Sequence, residues 1–197
     1  MEAKVKDQYH HGNLKRDLIE NAIQIISEYG FEQLSLRNIA KQCGVSHNAV
    51  YRHFESKEQL IDTCRNYVTD LLTEYLRNVV KELEPAVPET LRTLAEAYIH
   101  FYQERPTYYS FLYRNSSVQI ILTTQKMDEN HPPFEIFREV CCAIAEKQKR
   151  SSDECLNHLI QLWSLIHGLT ALLISPKVEW NSNWLNCLDN FFEETCT

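Results

Sequence analysis

"SLRNIAKQCGVSHNAVYRHFESKEQL", residues 35–60, is the stretch on which the fold turns. Ser35 can cap a helix of about two turns in which Ile39, Ala40 and Cys43 face inward. Gly44 suits the left-handed position that stops it. Ser46 caps the next short helix, with Val50 and Phe54 as its inward pair at i and i+4. Ser56-Lys57-Glu58-Gln59 reads as a capping box, so a further helix starts there. Two short helices joined by a tight glycine-containing turn make a helix-turn-helix. The second of them is crowded with Ser, His, Asn, Tyr and Arg, groups that reach, hydrogen-bond and stack.

Working outward, "NLKRDLIENAIQIISEYG" (residues 13–30) places Leu14, Leu18, Ala22, Ile25, Ile26 and Tyr29 on one helical face. Asn13 can cap its start, and Gly30 suits the position after its end. The helix opened by Ser56 is expected to run to about Glu84, before Pro85 and Pro88, and to tie a three-helix head to a body. Pro88 fits the first position of a helix reaching about Gln103. Pro106 begins the aromatic segment "PTYYSFLYRN", and another helix follows the double proline at 132–133. Ser151 and Glu154 form a second capping box before "CLNHLIQLWSLIHGLTALLI". Asn181 is the expected cap of the last helix, with Trp180 and Leu185 as a hydrophobic staple.

With 4 Gly and 6 Pro in 197 residues, few chain reversals are written in, which disfavours a many-stranded β fold. An apolar share of 44% supports a packed core. The expectation is an all-α chain: residues 1–62 an N-terminal arm and helix-turn-helix domain, residues 63–197 a larger helical body. No apolar run reaches the roughly 18 residues of a membrane span, and the start of the chain is polar. A cytoplasmic location is expected. The seven cysteines then read as small core hydrophobes, with a thiol sensor as the alternative.

The net charge of −7 speaks against nucleic acid until its distribution is considered. From Leu34 to Lys57 stand Arg37, Lys41, Arg52 and Lys57 against Glu55 alone, a local balance of +3. Beyond Asp62 the count is 12 basic against 18 acidic residues. A recognition helix reads base edges near its N-terminal end, while flanking donors hold phosphates. Ser46, His47, Asn48 and Tyr51 suit the first part, Arg52 reaches either, and His53 adds a donor. Lys57 sits where an ammonium and helix N–H groups can meet one phosphate. Arg37 can grip the backbone across the groove.

At these residues the chain resembles the DNA-binding head of the TetR/AcrR transcriptional regulators. The likeness runs from about Leu14 to Asp62, and is most specific at Ala40, Gly44, Val45, Tyr51, Phe54 and Lys57. The resemblance implies that Arg37, His47, Asn48, Tyr51, Arg52, His53 and Lys57 occupy DNA-contacting positions. Tyr51 and Lys57 would meet phosphates, and His47, Asn48 and Arg52 would read bases. Ser35 and Ser46 would combine capping with a phosphate contact. "YHHGNLK" (residues 9–15) and "WSLIHGL" (residues 163–169) resemble the subgroup named for a Trp-His-Gly signature in its C-terminal domain. The family implies a homodimer built on the last two long helices, a body pocket for a small-molecule effector, and release from a double-stranded operator on binding it.

In the body, Trp163 and His167 share a helix face, and Gly168 in an apolar helix points to the close approach of another helix or a ligand. Tyr102 and Phe111, with Tyr98, Phe101, Tyr108, Tyr109 and Tyr113, can line a pocket there or simply form core. Cys155 and His158, at i and i+3, can share a metal, but no third ligand is visible locally, so neither metal nor cofactor is expected. There is no Gly-rich phosphate loop, no G-x-S-x-G and no H-E-x-x-H, so no enzyme is expected. The rival reading is a TetR-like regulator controlled by a protein partner. Lys4, Lys6, His10 and His11 form a polar arm that either tracks DNA or frays.

Overall fold

The computed structural model describes residues 14–114 and 118–195. The arm, the Asn13 cap, most of the 9–15 stretch and Cys196 lie outside them. Among the described residues there is no strand, in keeping with the all-α reading. The helices are α1 (Leu14–Tyr29), α2 (Leu36–Gln42), α3 (His47–Tyr51), α4 (Lys57–Val80), α5 (Pro88–Glu104), α6 (Pro106–Tyr109), α7 (Pro132–Lys147), α8 (Ser152–Leu173) and α9 (Leu185–Thr195). A π-helical turn, Ser110–Arg114, continues α6. Two compact units divide between Arg65 and Asn66.

The first unit forms as its capping chemistry dictates. Ser35 Oγ accepts from the Asn38 amide at 3.1 Å, and Ser46 Oγ from the Ala49 amide at 3.2 Å. Gly44 takes φ +65°. The Val45 amide donates to the Ala40 carbonyl at 2.9 Å and the Gly44 amide to the Lys41 carbonyl at 3.3 Å. These two bonds are the Schellman pair that closes a helix on a left-handed residue. Gln59 supports the start of α4 by accepting from the Glu55 amide at 2.6 Å, while its own amide donates to Ser56 Oγ at 3.1 Å. Leu18, Ala22, Ile39 and Val50 are fully buried and Phe54 nearly so, each large side chain contributing about 1.5–3 kcal/mol by leaving water. Tyr29, expected on the inward face of α1, is 66% exposed, while Ile19 and Ile23 are buried: the inward face is wider than one stripe and ends before the last turn.

In the second unit, α5 packs on α7, α8 and α9, and α7 on α8. The Ser151–Glu154 capping box forms in both directions. Arg92 on α5 meets Asp189 on α9 at 2.6 Å. A buried pair, Glu135 and Arg138 at 2.6 Å, receives Asn130, whose side chain also bonds both backbone groups of Ile121 at 2.9 Å. That network fastens the chain ahead of α7 to the helix itself.

Two boundaries differ from expectation. The α4 helix stops at Val80, not near Glu84: Lys81, Glu82 and Leu83 are exposed, so no core contact extends the last turn, and Pro85 disfavours helix at Glu84. The last helix starts at Leu185, and the side chain accepting from its amide, at 3.1 Å, is Asn183, not Asn181. The staple does not frame that start either, since Trp180 lies five residues ahead of it with its indole N–H buried and unbonded among the described residues.

Candidate nucleic-acid interface

Once Val50 and Phe54 are committed to the core, helical geometry sends the rest of α3 outward. Ser46, His47, Asn48, Tyr51, Arg52 and His53 are all exposed, Tyr51 by 48%. The His47 ring stands edge-on to Tyr51 at 4.7 Å, so each limits the other's freedom. Arg37, on the first turn of α2, is exposed. Lys57, at the first position of α4, is half-buried, as is Ser35. Among the described residues none of Arg37, Lys41, Arg52 and Lys57 is in an ion pair. Four unneutralised cations beside one polar helix make a surface suited to a polyanion, with short polar groups at its centre. Lys41, exposed on the same helix as Arg37, adds to this charge pattern. A solvent-open depression of about 600 Å³ between α1 and α2 is lined by Ile25, Tyr29, Gln33, Asn38, Lys41 and Gln42, and by none of the residues expected to touch DNA.

The candidate effector residues fall in a different setting. Trp163 and His167 on α8 have ring centroids 4.6 Å apart. Tyr98 on α5 bonds His167 Nε2 through its hydroxyl at 3.0 Å, and Tyr109 donates its hydroxyl to the His167 carbonyl at 3.1 Å. The Tyr102 ring packs against those of Tyr98, Tyr109 and Tyr113 at 5.1, 5.2 and 6.0 Å. Tyr113 bonds His131 Nε2 at 3.0 Å. Phe111 is fully buried. Burial holds both imidazoles neutral, lowering His167 to about 4 and, with the neighbouring His167 adding to it, His131 to about 3. Burial likewise pushes the Tyr98 and Tyr102 phenols well above their usual range and Tyr113 up to about 12. The nest is therefore polar and uncharged at neutral pH. The Tyr102 hydroxyl lies near those of Tyr98 and Tyr113, yet its geometry makes no hydrogen bond among the described residues. A cavity of about 190 Å³ lined by Tyr109, Ser110, Ala171, Ile174, Ser175 and Pro176 adjoins the nest through Tyr109.

Gly168 lies on the outer face of α8. It is exposed, and a Cβ built there meets nothing within 4 Å, so it admits no close approach within the chain. His131 carries no signal of its own in the sequence; in "NHPP" its position reads as a helix start, and only the fold brings it to Tyr113. Among the described residues no three His, Cys, Asp or Glu side chains are placed to hold a metal ion. No helix among them is long and apolar enough to cross a membrane.

Residues 18–64 match the family model described as bacterial regulatory proteins, tetR family, and residues 91–194 match the tetracyclin repressor-like C-terminal domain. The chain belongs to the TetR family. It is 24% identical over 127 residues to the uncharacterized HTH-type transcriptional regulator YerO of Bacillus subtilis, covering 64% of this chain and 41% of that protein. It is 33% identical over 69 residues to IcaR of Staphylococcus epidermidis, a negative transcriptional regulator of the biofilm operon icaADBC, covering 33% of this chain and 36% of that one. These matches span less than half the length of those relatives. A TetR-like regulator from Rhodococcus sp. RHA1 superposes with a TM-score of 0.66 at 16% identity, covering 95% of this chain and 96% of that one, which establishes the shared fold. The matched N-terminal model is one of bacterial regulatory proteins.

Proposed function

We propose that this TetR-family regulator is a cytoplasmic repressor that binds a pseudo-palindromic operator as a homodimer and is released by a small effector. The observation that carries the DNA part is the exposed polar face of α3 flanked by four cations outside any ion pair. His47, Asn48 and Arg52 read bases, Tyr51 and Lys57 hold phosphates, and Arg37, His53, Ser35 and Ser46 complete the grip. Repression is supported by the role of the Staphylococcus relative as a negative regulator.

Self-association through α8 and α9 is supported by the outer face of α8. Gln161, Ser164, Gly168, Ala171 and Leu172 recur at helical spacing, all exposed, with Leu172 at 46%. Small side chains and a glycine with open space above it suit the approach of a second helix. Two recognition helices would then sit about one turn of B-DNA apart, roughly 34 Å or somewhat more.

The effector reading is supported by the uncharged aromatic nest, the adjoining cavity and the unbonded Tyr102 hydroxyl. An uncharged, largely apolar molecule with one hydrogen-bonding group fits that environment, because a bare charge there would lose its hydration without a counter-charge. A tenfold release from DNA needs only about 1.4 kcal/mol of coupling, and operator DNA must weaken the effector equally.

Footprinting of the DNA upstream of the protein's own gene tests the reading. A protected site with two-fold sequence symmetry is expected. Protection of a single, non-symmetric half-site at saturating protein would overturn the dimer, and absence of any protected site would overturn the DNA reading.

A further inference from the structure

Three cysteines come together where α7 meets α8. The Sγ atoms of Cys142 and Cys155 are 3.5 Å apart, and those of Cys141 and Cys155 are 4.0 Å apart. A bonded pair stands at about 2.05 Å, so Cys142 and Cys155 need to close by only about 1.5 Å, within reach of small side-chain rotations. The other described cysteines offer no such pairing. Cys43 and Cys64 face backbone carbonyls, of Asp17 at 3.9 Å and of Ile19 at 3.6 Å, and Cys187 is exposed.

The three thiols are not equivalent. Cys141 and Cys155 are buried, while Cys142 is half-buried and so is the member a small oxidant reaches. Arg138 lies one turn before Cys142 on α7. Its guanidinium is engaged with Glu135 at 2.6 Å and the Thr124 carbonyl at 3.3 Å, and that same carbonyl receives the Cys142 thiol at 3.7 Å. The reachable sulfur is therefore held by the same backbone carbonyl that holds the Arg138 guanidinium, which fixes its place beside Cys155.

We propose that Cys142 and Cys155 are a modification site: a hydroperoxide oxidises Cys142, and Cys155 condenses with it to form a reversible disulfide joining α7 to α8. In the first step the Cys142 thiolate attacks the terminal peroxide oxygen. The O–O bond breaks, Cys142 becomes a sulfenic acid, and the peroxide is reduced to an alcohol or, for hydrogen peroxide, to water. In the second, the Cys155 sulfur attacks the sulfenic sulfur, the S–S bond forms, and the sulfenic hydroxyl leaves with the Cys155 proton as water. Two thiols lose two electrons and two protons in all. Burial holds Cys155 protonated, raising it to about 11, with the Cys142 hydrogen bond adding to the effect. Its proton is thus delivered across the same short contact that forms the bond. The inference stands on the packing of α7 against α8 and is independent of any effector.

The test is exposure of the full chain to a several-fold excess of hydrogen peroxide, followed by alkylation, trypsin digestion and mass spectrometry without reductant. Trypsin separates residues 139–147, which carry Cys141 and Cys142, from residues 151–177, which carry Cys155. The expected product is a cross-link between these peptides, lighter by two hydrogen atoms, with fragment ions placing the bond at Cys142, and reversed by a phosphine reductant. Cys142→Ser should slow cross-linking at least about tenfold, while Cys141→Ser should leave it intact. Cys155→Ser should leave Cys142 as a sulfenic acid trapped by dimedone. Far-ultraviolet circular dichroism of each variant identifies any that fails to fold, and the wild-type fragment map stands without them. A cross-link through Cys141 would overturn the proposal. So would a link between two copies of the chain, or oxidation of Cys142 to sulfinic acid with Cys155 still free.

Discussion

Replacing Gly44 by Ala isolates one physical quantity, the cost of a Cβ in the left-handed region. Gly44 sits at φ +65°, and a Cβ there meets nothing within 4 Å, so no clash contributes. The strain of an L residue in that conformation is about 1–2 kcal/mol. Against it, Ala restricts the unfolded chain and returns about 0.4–1 kcal/mol. The net loss is then about 1 kcal/mol. The body supplies the mirror experiment. Lys149 occupies φ +55° at the end of α7, where the Arg150 amide donates to the Ala145 carbonyl at 2.9 Å and the Lys149 amide to the Glu146 carbonyl at 3.1 Å. Lys149→Gly reverses both contributions and should gain about 1 kcal/mol. Urea unfolding followed by circular dichroism, at several protein concentrations to separate any association, measures both. With a slope of about 1–3 kcal/mol per M, each midpoint should move by roughly 0.5 M, down for Gly44→Ala and up for Lys149→Gly. Unchanged midpoints, or two shifts of the same sign, would refute the reasoning.

Other outcomes follow from the same geometry. Ser151→Ala removes half of the α8 capping box and should cost about 1 kcal/mol in thermal unfolding. Tyr102→Phe deletes a buried hydroxyl that makes no well-formed hydrogen bond among the described residues and should cost less than Tyr98→Phe, which leaves His167 Nε2 unbonded and should destabilise; equal losses in the two would contradict the assignment. Both His131 and His167 have folded pKa values depressed below the ordinary 6.5, to about 3 and about 4. The unfolded chain therefore binds more protons in that interval, and the contribution of these residues is present above about pH 6.5 and lost as pH falls toward 4 and 3. Midpoints measured from pH 7 to 4 should fall less steeply in a His131→Phe, His167→Phe double variant than in the wild type.

The head was legible because its signals are local. A glycine at a forced positive φ, serines three residues ahead of the amides they cap, and an apolar pair at i and i+4 are written within a few residues of one another. Where the last turn of a helix depends on burial by distant elements, the sequence misleads: Pro85 marked a stop near Glu84 for α4, but the helix ran out of core at Val80, four residues earlier. The cap of α9 failed for a related reason, since two asparagines compete within three residues and only the turn geometry chooses Asn183. In the body, Trp163 and His167 share a face by spacing alone, but their partners arrive from α5, α6, the π turn and α7. No periodicity links His131 to Tyr113, or Cys142 to Cys155, because those pairs are made by packing between elements. Gly168 follows the same rule: its rarity in a helix points to the approach of another helix or a ligand, but only the fold shows that its face is turned outward.

The most direct test of the central claim is the affinity of Asn48→Ala and Lys57→Ala for two duplexes, the footprinted site and a scrambled sequence of the same length, across a series of salt concentrations. If the exposed face of α3 reads the bases, Asn48→Ala should lose roughly 1–3 kcal/mol on the site and almost nothing on the scrambled duplex. Lys57→Ala should weaken both alike, and the slope of log affinity against log salt should become shallower by about 0.9 for each phosphate the variant no longer neutralises. Wild-type affinity, preference and salt slope in both variants would contradict the account.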